Sequence, residues 1–235
     1  MSIFAIGDTH LSFSTDKPMD IFRGWSDYTA RLQKNWCAIV REDDTVVIPG
    51  DISWAMDISN AKSDFDFLNA LPGKKVILKG NHDYWWATMR RMNEFLLENN
   101  FNSIEILFNN CIEAGDFAIC GTRGWFFDDE TIDEQKVLAR EVGRLKTSIE
   151  AAKKTGKEPI VFLHYPPINT VSVCQPIIQV LKESEIKRCY YGHLHGESLK
   201  RAFRNEYEGI KFDVVSADFL EFCPKSVKLL KSIFK

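Results

Sequence analysis

Five short apolar runs in this chain, Ile3 to Ile6, Thr45 to Ile48, Lys75 to Leu78, Ile160 to Leu163 and Cys189 to Tyr191, each end in a polar group built from Gly, Asp, Asn or His. Those groups are Gly7-Asp8-Thr9-His10, Gly50-Asp51, Gly80-Asn81-His82-Asp83, His164 and Gly192-His193-Leu194-His195, and they contain all five histidines of the sequence. Short apolar runs, each followed by a polar Gly- or His-containing turn and often by a helical pattern, are the alternation expected of an α/β protein. In α/β sheets the loops at the carboxyl ends of the strands converge on one crevice, so residues far apart in sequence meet there.

Helical spacing fills the intervals. Tyr28, Leu32, Trp36 and Ile39/Val40 repeat on one face, as do Ala61, Phe65 and Leu68, then Trp85, Met89, Met92 and Leu96, and then Leu138, Val142, Leu145 and Ile149. Thr155-Gly156 before Pro159 stops the last of these. Ile104 to Thr122 and Leu199 to Leu230 depart from the alternation and read as short-stranded meanders. The expected fold is α/β with a doubled sheet and helices outside, the helix-linked strands in one sheet and the meanders mostly in the other. At 235 residues, with no repeat or linker-like tract, the chain is expected to form a single domain over 1-235. The loop from Leu11 to Gly24, rich in Ser, Asp, Lys and Pro, lies beside the first polar group and is placed to shape a cleft mouth.

Composition narrows the function. A 45% hydrophobic and 27% charged chain has apolar mass for a substantial core, which excludes disordered and fibrous classes. A net charge of -3 gives no general attraction to nucleic acid or anionic lipid, so an anionic ligand must be held locally. The start of the chain lacks a signal-peptide pattern and no apolar run is long enough to span a bilayer. The six cysteines are dispersed without a Cys-x-x-Cys pair and read as reduced, buried and structural, which implies a cytoplasmic protein.

Any one strand-end Asp or His has an ordinary structural explanation as a turn residue, a cap or a hydrogen-bonded core histidine. The concentration of every histidine in these groups does not. Asp, Asn and His donors without cysteine suit borderline divalent ions: manganese, iron, zinc, cobalt or nickel. A pair of such ions needs a bridging carboxylate, and two carboxylates against two divalent ions leave a formal +2, suited to an anionic phosphate ester. That supplies the local positive charge that the chain lacks overall.

Asp8-x-His10, Gly50-Asp51, Gly80-Asn81-His82-Asp83, His164 and Gly192-His193-x-His195, in that order, resemble the calcineurin-like metallophosphoesterase superfamily. The resemblance implies a four-layer α/β/β/α sandwich with two mixed β-sheets. It implies one metal on Asp8, His10, Asp51 and His195, and a second on Asp51, Asn81, His164 and His193, with Asp51 as the bridge. His82 would face the substrate, stabilising the phosphoryl group or protonating the leaving oxygen, and the nucleophile would be a metal-bridging hydroxide. Tyr165-Pro166-Pro167 would stiffen the loop after His164.

The chain also departs from relatives. Protein Ser/Thr phosphatases of this superfamily extend the second group with Asp-Arg-Gly, whereas Ile52-Ser53-Trp54-Ala55 follows Asp51 here. Phosphoprotein phosphatase activity is therefore not expected, and the orienting partner of His82 is unassigned. Arg123, in Gly121-Thr122-Arg123-Gly124-Trp125, is the candidate substitute phosphate ligand. Asp83 reads as a cap for the helix starting at Trp85, and Trp54, Trp85, Trp86 and Trp125 read as core before stacking surface. The expected activity is hydrolysis of a phosphate monoester or diester on a small molecule or nucleotide. The alternatives are a metal-dependent nuclease, against which the acidic balance counts, and a non-catalytic scaffold of the same fold.

Overall fold

The computed structural model describes residues 1–125 and 132–227. The first sheet takes the order β11-β1-β2-β3-β4, from β1 (Ile3–Ala5), β2 (Thr45–Pro49), β3 (Lys74–Leu78), β4 (Ile104–Ile106) and β11 (Lys225–Ser226). Its strands β1 to β4 run parallel, with β11 antiparallel at the edge. The second sheet has the order β5-β6-β7-β8-β10-β9. It comprises β5 (Ile112–Ala114), β6 (Phe117–Thr122), β7 (Glu158–Leu163), β8 (Arg188–Tyr191), β9 (Glu206–Tyr207) and β10 (Ile210–Val214). Its central strands β6, β7, β8 and β10 are parallel and both edges are antiparallel.

Parallel strands need crossovers, and helices supply them. Helices α1 (Tyr28–Ile39), α2 (Lys62–Ala70) and α3 (Met89–Glu98) connect the strands of the first sheet; α4 (Ile132–Lys154) and α5 (Gln175–Glu183) connect those of the second. Side-chain alternation then divides each strand between two cores. Phe4, Ile6, Val46 and Ile48 face outward onto Leu32, Trp36, Phe65 and Leu68 of α1 and α2. Ile3, Ala5, Val47 and Val76 face inward onto Ile119, Ile160 and Phe162 of the other sheet. On the far side Cys120, Val161, Leu163 and Cys189 pack under Leu145 and Ile149 of α4 and Ile177 and Leu181 of α5. The result is the expected α/β/β/α sandwich, and each fully buried aliphatic or aromatic side chain contributes about 1.5–3 kcal/mol.

The partition of strands differs from expectation. The helix-linked strands β7 and β8 belong to the second sheet, and β4, expected in a meander, extends the first. The part of the final stretch beyond Val227 lies outside the described residues. Thr88, whose Oγ1 accepts the Arg91 N–H at 3.4 Å, starts α3 at Met89 and not at Trp85. Trp85 is buried against Phe65 with ring centroids 5.1 Å apart. The cysteines are free, but only Cys120, Cys174 and Cys189 are buried; Cys37 is exposed because it falls on the outer side of α1.

Candidate metal centre

The two sheets are joined where their strands end. The Gly7 N–H donates to Val215 C=O at 2.6 Å, and Asp8 and His10 N–H groups bond the carbonyls of Gly50 and Asp51 at 2.9 Å each. Leaving the strands abruptly requires unusual backbone. Asp8 (φ 58°), His10 (φ 44°), Asp51 (φ 50°) and His193 (φ 71°) all occupy the left-handed region. Such strain at non-glycine residues gathers at functional sites, where the surrounding structure holds it in place. A Cβ at Gly80 would collide with the Asp51 backbone and carboxylate, and one at Gly192 with the Asp8 carboxylate. These glycines let the neighbouring loops close onto the two acids.

Two groups of donors result. Asp8, His10 and His195 form one, and Asp51, His164 and His193 the other, with the donor atoms of each within 4.8 Å of one another. In the first, His10 Nε2 and His195 Nε2 face each other at 3.3 Å and Asp8 Oδ1 lies 3.4 Å from His195 Nε2. In the second, the Asn81 side-chain oxygen lies 2.6 Å from His164 Nε2 and 2.9 Å from His193 Nδ1. Asp51 stands between the groups, with Oδ2 3.7 Å from His10 Nε2 and Oδ1 3.5 Å from His164 Nε2. The seven sequence-predicted ligands are therefore together.

Outer contacts aim the inner ones. His164 Nδ1 donates to Pro49 C=O at 3.0 Å, which leaves Nε2 with its lone pair toward the Asn81 oxygen. Two lone pairs facing each other at that range are relieved by a shared cation, and the nitrogen and oxygen donors fit a borderline divalent ion. His195 Nδ1 donates to Asp218 Oδ1 at 3.0 Å, while the other Asp218 oxygen accepts the Gly196 N–H at 2.9 Å. Asp83 is not a helix cap. Its fully buried carboxylate accepts the N–H groups of Gly80 (2.7 Å), Asp51 (2.9 Å), Ile52 (2.8 Å) and Ser53 (3.3 Å), and the Trp85 indole N–H at 2.9 Å. It ties the loop carrying Asn81 to the loop carrying Asp51.

The electrostatics are those of a site short of positive charge. Burial and the neighbouring Asp83 and Asp8 carboxylates hold Asp51 far above the usual carboxylate range. Burial also disfavours an ionised Asp8, but His195, His164 and His10 outweigh it and keep that acid low. Burial pushes His164 down to about 3, so its ring is neutral and a competent ligand. For His195 burial is outweighed by Asp8 and Asp218, which raise it to about 10. Divalent cations would take over the balancing role that protons otherwise fill.

His82 sits outside both groups. It is half-buried, with its N–H on Asp51 Oδ1 at 2.8 Å and its Nδ1 3.4 Å from the Tyr84 hydroxyl. Trp54 lies against both His82 (centroids 4.6 Å) and His10 (4.9 Å, stacked), so it lines the site and is not solely a core residue. Lys17, from the loop expected at the cleft mouth, places its ammonium 4.1 Å from the Trp54 ring. The Arg123 main chain supports the centre, its carbonyl accepting the His164 N–H at 3.1 Å and the Tyr165 N–H at 2.9 Å. Its guanidinium lies over Trp125 at 5.0 Å and lines an adjoining cleft. Sequence reasoning missed Asp218 and Lys17, and the histidine-free Ser216-Ala217-Asp218 carried no signal for the former.

This strand-end assembly on two sheets is that of a metal-dependent phosphoesterase, and residues 1–197 match the family model for calcineurin-like phosphoesterases; the chain belongs to that family. An uncharacterised protein of Methanocaldococcus jannaschii is 30% identical over 93 residues, which are 37% of this chain and 50% of that protein. The match thus spans about half of that relative's length. Among solved structures, a protein of unknown function from Aquifex aeolicus superposes with TM-score 0.53 at 16% identity, over 96% of this chain and 95% of that one. The phosphopantetheinyl hydrolase of Mycobacterium tuberculosis gives 0.52 at 13% identity, over 100% and 98%. At these identities the likeness is one of fold. No helix among the described residues is long and apolar enough to cross a membrane.

Proposed function

We propose that the chain is a dinuclear-metal-dependent phosphohydrolase that cleaves a phosphate monoester or diester of a small molecule or nucleotide. The observation that carries this reading is the position of Asp51, one oxygen turned toward each donor group. Asp8, His10, Asp51 and His195 would hold one ion, and Asp51, Asn81, His164 and His193 the other. When bound, the ions supply Lewis-acid polarisation of the phosphoryl oxygens and a lowered pKa for water. The protein's own part is orientation. Pro49 and Asp218 set which nitrogens of His164 and His195 point inward, and Asp83 locks the two loops that meet at Asp51.

His82, beside the centre and half-exposed, is positioned to donate its imidazole N–H to a phosphoryl oxygen or to pass a proton to the leaving oxygen. Tyr84 is the neighbour that steadies its other nitrogen. Lys17 adds positive charge at the mouth. The gathering of seven candidate donors favours an enzyme over the scaffold reading.

Hydrolysis of bis-p-nitrophenyl phosphate and p-nitrophenyl phosphate by metal-stripped protein, with and without manganese, tests the proposal. The expected result is manganese-dependent release of p-nitrophenol, lowered at least about 100-fold in Asp51→Asn with far-UV circular dichroism unchanged. Absence of turnover with manganese, iron, zinc, cobalt and nickel alike would refute it.

A further inference from the structure

A second cleft adjoins the metal centre at the end of β3. It encloses about 860 Å³, a volume that suits an organic ligand and far exceeds one phosphate group. Its lining combines two rings, Trp86 and Phe108, whose centroids are 6.5 Å apart, with the cations Lys79, Arg123, Arg140 and Arg144. No carboxylate lines it among the described residues. Glu141, buried behind the wall, is already engaged by Arg144 at 2.6 Å and by the Thr122 hydroxyl at 2.5 Å.

Two of the cations rest on aromatic rings. Arg144 lies over the Phe108 ring at 5.2 Å and Arg123 over Trp125 at 5.0 Å, and the buried Arg123 Nε has no hydrogen-bond partner among the described residues. Arg144 is paired with Glu141, but like charges gathered around one cavity still repel, and a planar guanidinium is matched by phosphoryl oxygens. Phe108 already carries Arg144, and Trp86 is the lining ring left to stack on a flat portion of the ligand. Lys79 also stands two residues before Asn81 on the same strand end, which sets the cleft beside the metal centre.

We infer that this cleft binds a second phosphorylated portion of the substrate, one that carries a flat ring as a nucleotide does. The inference rests on the phosphoesterase reading and deepens it. The substrate is then a phosphate ester with two or more phosphoryl groups, one reacting at the metal centre and another anchored between the arginines.

The test is calorimetric titration of ADP and of inorganic pyrophosphate into the full chain in EDTA, so that no metal contributes to binding. ADP is expected to bind more tightly than pyrophosphate and to weaken as salt rises. Arg140→Ala, at an exposed position, should weaken ADP binding about tenfold, and adding Arg123→Gln should weaken it about tenfold again. No binding of ADP by the wild type at about 1 mM would overturn the inference, as would affinities unchanged in both variants, or pyrophosphate binding as tightly as ADP. Bis-p-nitrophenyl phosphate turnover by the wild type is measured beside it. Turnover without ADP binding sinks the cleft assignment alone, whereas ADP binding without turnover sinks the phosphoesterase reading.

Discussion

Asp218 accepts the His195 Nδ1 proton at 3.0 Å and thereby turns His195 Nε2 toward Asp8, 3.4 Å away. A carboxylate behind a histidine ligand fixes its tautomer and raises its basicity, and losing it costs about 10–100-fold in metal affinity. Asp218→Asn is expected to weaken manganese binding by that factor while leaving the fold intact. Titration against a competing chelator measures it; unchanged affinity would remove Asp218 from the site.

His82 should separate chemistry from metal binding. His82→Ala is expected to retain its metal and to lose about 100-fold or more in kcat, because its ring lies outside both donor groups. Metal content by plasma emission, read with kcat and KM, decides the matter. Loss of metal in this variant contradicts the division of roles.

Asp83 is predicted to matter to stability through five donors at once, four backbone N–H groups and the Trp85 indole. Asp83→Asn turns an amide NH2 toward donors that need an acceptor. It should cost about 2–4 kcal/mol, seen as a lower midpoint in guanidinium unfolding. A midpoint equal to that of the wild type refutes the strut role.

Lys75, fully buried on β3, bonds the carbonyls of Leu71 at 2.6 Å and Gly73 at 2.7 Å, and burial lowers its ammonium to about 8 from the usual 10.5. Between those values the unfolded chain holds a proton that the folded chain has released. Stability contributed through Lys75 therefore rises with pH across that window. Relative to Lys75→Met, the wild type should gain about 2 kcal/mol from pH 8 to pH 10, measured by urea unfolding. A gain in the opposite direction contradicts the assignment.

How much of this was legible in the sequence follows the range of the interactions. Asp8, Asp51, Asn81, His164 and His193 announce themselves because each directly follows an apolar run, and strand ends are where crevices form. Asp83 stands in the same sequence neighbourhood, yet its role depends on amides 30–32 residues away, which no local pattern reports. Asp218 meets His195 across 23 residues from a segment without a glycine pair or histidine. The passage from one sheet to the other, between β4 and β5, is equally silent. Leu107 and Ile112 on either side of it pack into the shared inner core like residues of a continuous sheet.

The measurement closest to the central claim is the number of manganese ions held per chain, obtained by titrating metal-stripped wild type and Asp51→Asn and reading both binding and the electron paramagnetic resonance spectrum. Two ions per wild-type chain with a spin-coupled signal, and fewer than one in Asp51→Asn, are predicted from the position of Asp51 between the donor groups. A single uncoupled ion in the wild type, or two ions retained by Asp51→Asn, would contradict a dinuclear centre bridged by that carboxylate.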